Sequence, residues 1–179
     1  SNVSAQFNEG EWRVSAGLNA INDLNSRNPF ESPGDWIFNS IPLAVGLEYG
    51  IDGDFAIEQS FTFNKFNDDD IDAGTNRLEQ KFYYFSADTS LKYNFGQLFL
   101  PRRNRLELTA NAGVGFYYVK ESTMTFNVGG GALWWLTDDK NFGLRASTLA
   151  KFGSKDDVNN YISNNRHFQW NLQAVFVLD

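Results

Sequence analysis

The stretch DDDIDAGTNRLE, residues 68–79, is dense in oxygen ligands. Asp68, Asp70, Asp72, Asn76 and Glu79 fall at positions 1, 3, 5, 9 and 12 of an EF-hand-like calcium loop. The glycine that makes the sharp turn at position 6 is replaced by Ala73, Gly74 comes one residue late, and no helical pattern flanks the run. The favoured reading is a solvated acidic loop, with Asp68, Asp70, Asp72 and Glu79 as a weak metal candidate. His167 is the one histidine in the chain, among many serines and aspartates. A lone His could serve a hydrolase as general base. Arg102, Arg103 and Arg105 form a basic cluster suited to anionic headgroups or a docking partner. Cysteine is absent, which excludes disulfides, thiol catalysis and Cys-based zinc sites. With 15 basic against 22 acidic residues, a nucleic-acid partner is not expected.

The elements that must carry these residues are strands. Eight segments alternate with period two, and almost nothing recurs at helical spacing. They are residues 11–20, 40–51, 55–63, 82–93, 106–118, 126–136, 142–152 and 168–178. In the first, Trp12, Val14, Ala16, Leu18 and Ala20 oppose Arg13, Ser15, Gly17 and Asn19. The rest follow suit, each with an apolar face free of charge and a polar face of small residues and mixed charge. No apolar run reaches the roughly 18 residues of a spanning helix. A strand of about ten residues, tilted, is long enough to cross a bilayer.

The apolar face could point inward, as in a lipocalin-like soluble barrel, or outward, as in a membrane barrel. The polar face carries Arg13, Glu48, Glu58, Asp88, Lys92, Glu107, Arg145 and Lys151 amid Gly, Ser and Ala. Mixed charge among small residues suits a narrow interior of paired ions; a solvated exterior would be crowded with Lys and Glu. The connections alternate in length. Residues 22–39, 66–80 and 153–165 are long and polar, 51–54 and 137–141 are short, 94–104 is intermediate, and 120–123 is a short loop on the side of the long ones. Short turns at one end and long loops at the other is the habit of outer-membrane barrels. The expected fold is therefore all-β: an eight-stranded antiparallel up-and-down transmembrane β-barrel, porin-like in its apolar outer wall.

On this reading the adjacent Trp134 and Trp135 face opposite ways. Trp134 joins a girdle at the periplasmic interface with Trp12, Tyr49, Phe55, Tyr93, Phe142 and Phe176. Phe63, Tyr83, Tyr118, Phe126, Phe152 and Phe168 form the outer girdle, and Trp170 also faces lipid. Trp135 points inward, and Gly113, Gly115, Gly129 and Gly131 are read as making room for inward rings such as Trp135 and Tyr117, or as letting the strand curve. His167 has inward parity beside Arg166 at the outer rim, which gives it a hydrogen-bonding role rather than a catalytic one.

The runs EWRVSAGLNAINDLNSRNPF, WIFNSIPLAVGLEYGI, NAGVGFYYV, NVGGGALWWLTDDKNFGLRASTLAKF and HFQWNLQAVFVLD, in that order and spacing, resemble the N-terminal barrel of the OmpA-like outer-membrane proteins of the Bacteroidetes type. The likeness runs from Glu11 to Asp179. It implies a Gram-negative outer membrane with both termini periplasmic, and a following periplasmic domain that binds peptidoglycan. Residues 1–10 are read as an N-terminal periplasmic segment with any signal peptide already removed, and 11–179 as the barrel. Asp179, in place of a terminal aromatic, favours a C-terminal domain outside this chain.

The expected role is a non-enzymatic membrane anchor in the cell envelope, with no catalytic residue and no cofactor. Its partners would be outer-membrane lipids and lipopolysaccharide, and peptidoglycan through the further domain. A second reading makes it an accessory subunit of a larger outer-membrane complex, touching other outer-membrane proteins. A third, least favoured, makes it a lipid-modifying enzyme. The interior charges are expected to plug the barrel, because eight strands leave a lumen only wide enough for side chains.

Overall fold

The computed structural model describes residues 8–23, 42–67, 81–100, 105–119, 121–153 and 166–178. Eight strands run in chain order: β1 (Trp12–Asp23), β2 (Leu43–Gly50), β3 (Phe55–Asn67), β4 (Lys81–Asn94), β5 (Leu106–Val119), β6 (Glu121–Trp135), β7 (Phe142–Gly153) and β8 (Arg166–Leu178). Each pairs antiparallel with its neighbour, and β1 pairs with β8 from Trp12 opposite Leu178 to Asp23 opposite His167. That last ladder closes the barrel and leaves no open edge, which matters because an unpaired edge cannot be solvated in hydrocarbon.

The short turns are fixed by side chains that stand in for backbone partners. Between β2 and β3, the Asp52 carboxylate accepts from the N–H groups of Asp54 and Phe55, both at 2.9 Å. Between β6 and β7, Thr137 Oγ1 accepts from the N–H of Asn141 at 3.1 Å and of Phe142 at 3.2 Å. Lys140 takes φ 57° to close that turn. The β4–β5 connection includes a single 3-10 turn, Gly96–Leu98, to whose first N–H Asn94 Oδ1 is bonded at 3.1 Å. Both ends of the barrel wall, Trp12 and Leu178, lie at this short-turn end.

Several strands run further than alternation predicts. β1 continues to Asp23, β3 to Asn67, and β6 begins at Glu121 rather than Phe126. The ladder from Gly115 opposite Thr125 to Val119 opposite Glu121 joins β5 and β6, so 121–123 is strand. Alternation fades there because apolar residues become sparse beyond the apolar belt, yet the backbone groups still need partners and find them across the ladder. Conversely, β6 stops at Trp135, and Leu136 lies in the turn, its N–H bonded to the Phe142 carbonyl. β2 is described from Leu43 and ends at Gly50. The acidic run with Asp68, Asp70, Asp72 and Glu79 lies outside the described residues, as do Arg102 and Arg103.

Parity follows the alternation on every strand. Among the described residues the charged side chains of the wall point inward, and most large apolar ones point out; Ile21, Tyr84, Tyr117, Leu133, Trp135, Leu149 and Val175 are buried inside.

Candidate functional site

The candidate site is the barrel's interior. Period-two alternation sends one residue in two to the centre, so eight strands converge their polar faces on one narrow space. Two layers of buried charge fill it.

The layer nearer the short turns is built on Glu48. Its carboxylate accepts from Lys92 Nζ at 2.6 Å, from Arg145 Nη1 at 3.1 Å and from Arg13 Nη1 at 3.5 Å. Glu58 takes the same two partners, Lys92 at 2.5 Å and Arg145 at 2.7 Å. Arg13 also reaches Glu107 at 3.0 Å and Glu11 at the mouth at 2.5 Å. Of these ion pairs, only Arg13 and Glu48 are register partners on adjacent strands; Glu58, opposite Glu48 on β3, is a like charge that Lys92 and Arg145 bridge. Arg145, on β7, crosses the lumen to β2 and β3. Its Nη2 donates to Ser15 at 2.8 Å and to Gln173 at 3.0 Å. The inner cations Arg13, Lys92 and Arg145 thus balance Glu48, Glu58 and Glu107.

Trp135 belongs to this layer. Its ring is buried, its Nε1 donates to Glu107 at 2.8 Å, and the Arg13 guanidinium lies 5.1 Å from its centroid. The indole therefore roofs the Arg13–Glu107 pair, with Leu133, Val175 and Val177 packed beside it. The glycine that faces its ring is Gly143, where an added Cβ would meet Trp135 Cε3 at 3.1 Å. Gly113, Gly115, Gly129 and Gly131 do not serve Trp135 or Tyr117 in this way. Their nearest neighbours are β4 and β7 backbone, Ser90, Ser147, Asn111 and Asp88. Small residues there answer to close approach of the paired neighbour strands, β4 against β5 and β7 against β6, which alternation cannot show.

The layer nearer the long loops centres on Asp88 and Lys151, 2.6 Å apart and 1% and 0% exposed. Asn127 Nδ2 donates to Asp88 at 2.7 Å, and Ser86 to Asp88 at 3.2 Å. Lys151 also donates to Ser86 at 2.9 Å. His167 lies fully inside the wall, its Nε2 2.9 Å from the Tyr84 hydroxyl, its ring edge-on to the stacked Tyr84 and Tyr117. Asn19, Asn64, Gln169 and Thr62 extend the mesh by amide and hydroxyl bonds. A small polar cavity of about 30 Å³ borders Glu58, Lys92 and Arg145, with Thr62, Asn111 and Gln169 in its lining.

All eight charges singled out from the sequence, Arg13, Glu48, Glu58, Asp88, Lys92, Glu107, Arg145 and Lys151, are thus placed inward and ion-paired. Missed from the sequence were Trp135, Tyr84, Tyr117 and Asn127 as members of the mesh. Their inward parity was legible; their partners on distant strands were not.

The outer wall is the complement. Trp134 is 52% exposed where its neighbour Trp135 is 1%. At the short-turn end, Trp12 and Tyr49 pack at 4.8 Å, Phe55 and Tyr93 at 5.1 Å, and Phe142 and Phe176 at 4.8 Å. Towards the other end, Tyr83, Phe126 and Tyr118 are exposed, Phe168 and Trp170 half-buried. An apolar belt between two rings of aromatic side chains, interrupted at Gln59 and Thr89, is built for hydrocarbon. Arg105 meets Asp138 beyond the short-turn girdle, on exposed surface. Among the described residues no group of three His, Asp or Glu side chains is placed to hold a metal ion.

No family model matches this chain, and no curated protein matches it in sequence. Solved structures match it in fold. The N-terminal β-barrel domain of Pseudomonas aeruginosa OprF aligns over 95% of this chain and 98% of that one, with TM-score 0.60 and 11% identity. Ail, the attachment invasion locus protein of Yersinia pestis, aligns over 95% and 99%, with TM-score 0.56 and 17% identity. The outer membrane protein OprG from P. aeruginosa aligns over 97% and 98%, with TM-score 0.62 and 8% identity. The fold is that of eight-stranded outer-membrane barrels.

Proposed function

We propose that this chain is a closed, non-conducting and non-enzymatic anchor in the outer membrane of a Gram-negative bacterium. The observation that carries the reading is the lumen: among the described residues, two layers of buried, charge-balanced ion pairs cross it. A transport path would need a continuous wet channel, and a lipid-modifying site would need its catalytic groups on the outer wall. His167 is instead enclosed against Tyr84 and Tyr117.

The short turns and both ends of the wall lie at one end. Short turns face the periplasm in outer-membrane barrels, so both termini are periplasmic on this reading. The girdle rings then hold the barrel among outer-membrane lipids and lipopolysaccharide. The finer role follows the resemblance to OmpA-like proteins of the Bacteroidetes type: the barrel fixes a periplasmic peptidoglycan-binding domain, outside these 179 residues, to the outer membrane. The OprF barrel is likewise an N-terminal domain.

Planar-bilayer recordings test the anchor. The reconstituted chain should give no stable large conductance; a sustained open level would overturn the plugged reading. The peptidoglycan link is tested by sedimenting the natively expressed protein with purified sacculi. Its absence from the pellet would remove that role and leave the anchor.

A further inference from the structure

Between the two aromatic girdles the lipid-facing wall holds one amide among the described side chains, Gln59 on β3. Its parity is that of Ile57 and Phe61, both exposed on the outer wall. Thr89, directly across the ladder on β4, donates its hydroxyl to Gln59 Oε1 at 2.5 Å. That bond uses one end of the amide. The two Nε2 protons have no partner among the described residues, and turning the amide over would only exchange an unpaired donor for an unpaired acceptor.

Depth makes this costly. Gln59 is four residues along β3 from Phe55, whose ring packs on Tyr93 in the short-turn girdle. At about 3.3 Å per residue and about 40° of tilt, it stands ~10 Å into an apolar belt ~25 Å tall. Acyl chains offer no hydrogen-bond partner at that depth. The neighbours facing the same way, Leu47, Ile57, Phe61, Leu91 and Val114, are all exposed and apolar.

We infer that the β2–β4 wall docks a second copy of this chain, with Gln59 on the two-fold axis. The argument rests on the membrane reading and on symmetry. Two barrels inserted with the same orientation can form a closed pair only about an axis along the membrane normal. A residue on that axis then meets its own counterpart at the same depth. A primary amide is self-complementary: each Gln59 donates Nε2–H to the other's Oε1, which keeps a lone pair beyond its bond from Thr89. The surrounding apolar side chains supply the rest of the contact. A different protein would have to present its own amide at that depth; the second copy already does.

Fluorescence transfer between copies tests this in phospholipid vesicles. Cysteine is absent from the chain, so Asp138→Cys in the exposed β6–β7 turn gives one dye site. Flotation with the vesicles first establishes insertion; a chain that does not float overturns the membrane reading itself. For the inserted chain, transfer should rise with protein-to-lipid ratio as a monomer–dimer equilibrium. Gln59→Leu should weaken that dimer about tenfold or more, through loss of two intramembrane hydrogen bonds. Should Gln59→Leu fail to insert, oxidation decides. Gln59→Cys, in the unlabelled chain, should give disulfide-linked pairs, whereas Leu172→Cys, on the opposite wall, should not. A wild-type chain that stays monomeric at every ratio, with lipid alone covering Gln59, overturns the inference. So does a dimer indifferent to Gln59→Leu, or equal cross-linking from both walls.

Discussion

The Lys151–Asp88 pair gives a quantitative test of how dry the lumen is. On a protein surface an ion pair contributes about 0–1 kcal/mol, because water screens it and solvates either partner left alone. In a water-excluded interior, removing one partner strands the other's charge, at a cost of about 3–5 kcal/mol. Lys151 and Asp88 are 0% and 1% exposed, so the second regime applies. Lys151→Met leaves the Asp88 carboxylate with two neutral donors, Asn127 Nδ2 and Ser86 Oγ, which places its cost near ~3 kcal/mol. Asp88→Asn leaves the ammonium with neutral oxygens only, those of Ser86, Tyr84 and the new amide, and should cost more, up to ~5 kcal/mol. At about 1.4 kcal/mol per tenfold, the unfolding constant rises about 100-fold in the first variant and up to several thousandfold in the second. The double variant removes both charges together, so its cost should fall well below the sum, with a coupling of a few kcal/mol. Denaturant titration of the vesicle-inserted chain, followed by tryptophan emission, measures all three under conditions where unfolding is reversible. Single variants costing under ~1 kcal/mol, or a double variant equal to the sum, would refute the reasoning. The pair would then be solvated and the lumen open to water.

The remaining predictions concern single residues. In vesicles of brominated lipid, a chain whose one tryptophan is Trp134 should be strongly quenched, and a chain keeping only Trp135 should not. Trp135→Phe should cost about 1–3 kcal/mol in the same denaturant titration, because Glu107 loses the indole donor without gaining another. Gly115→Ala places a methyl against the Asp88 carboxylate and 2.7 Å from the Ala87 carbonyl; it should destabilise by about 1–3 kcal/mol, whereas a change of under ~0.5 kcal/mol would show that the wall yields. Calorimetric titration of the detergent-solubilised chain with calcium should find affinity no tighter than roughly millimolar at Asp68, Asp70, Asp72 and Glu79, since Ala73 stands where the tight turn needs glycine. Micromolar binding abolished by Asp70→Asn would make that loop a site.

Period two in the sequence determined the strand count, the inward and outward faces and the inversion of charge, because alternation is a property of each strand's own pleat. It placed Arg145 and Glu48 in one interior, and Trp134 and Trp135 on opposite sides of one wall. Strand ends were less legible. From Glu121 to Thr125 the one apolar residue is Met124, too little for a period to show, and only the ladder to β5 shows that the chain is still strand. What tertiary structure alone decided is which inward residues meet. Arg145 bonds Glu48 and Glu58 from the far side of the barrel, and His167 on β8 meets Tyr84 on β4. Such contacts depend on how far each strand is staggered when the sheet closes on itself. That stagger is a property of all eight strands together, fixed by the β1–β8 register, and no local pattern in the sequence carries it.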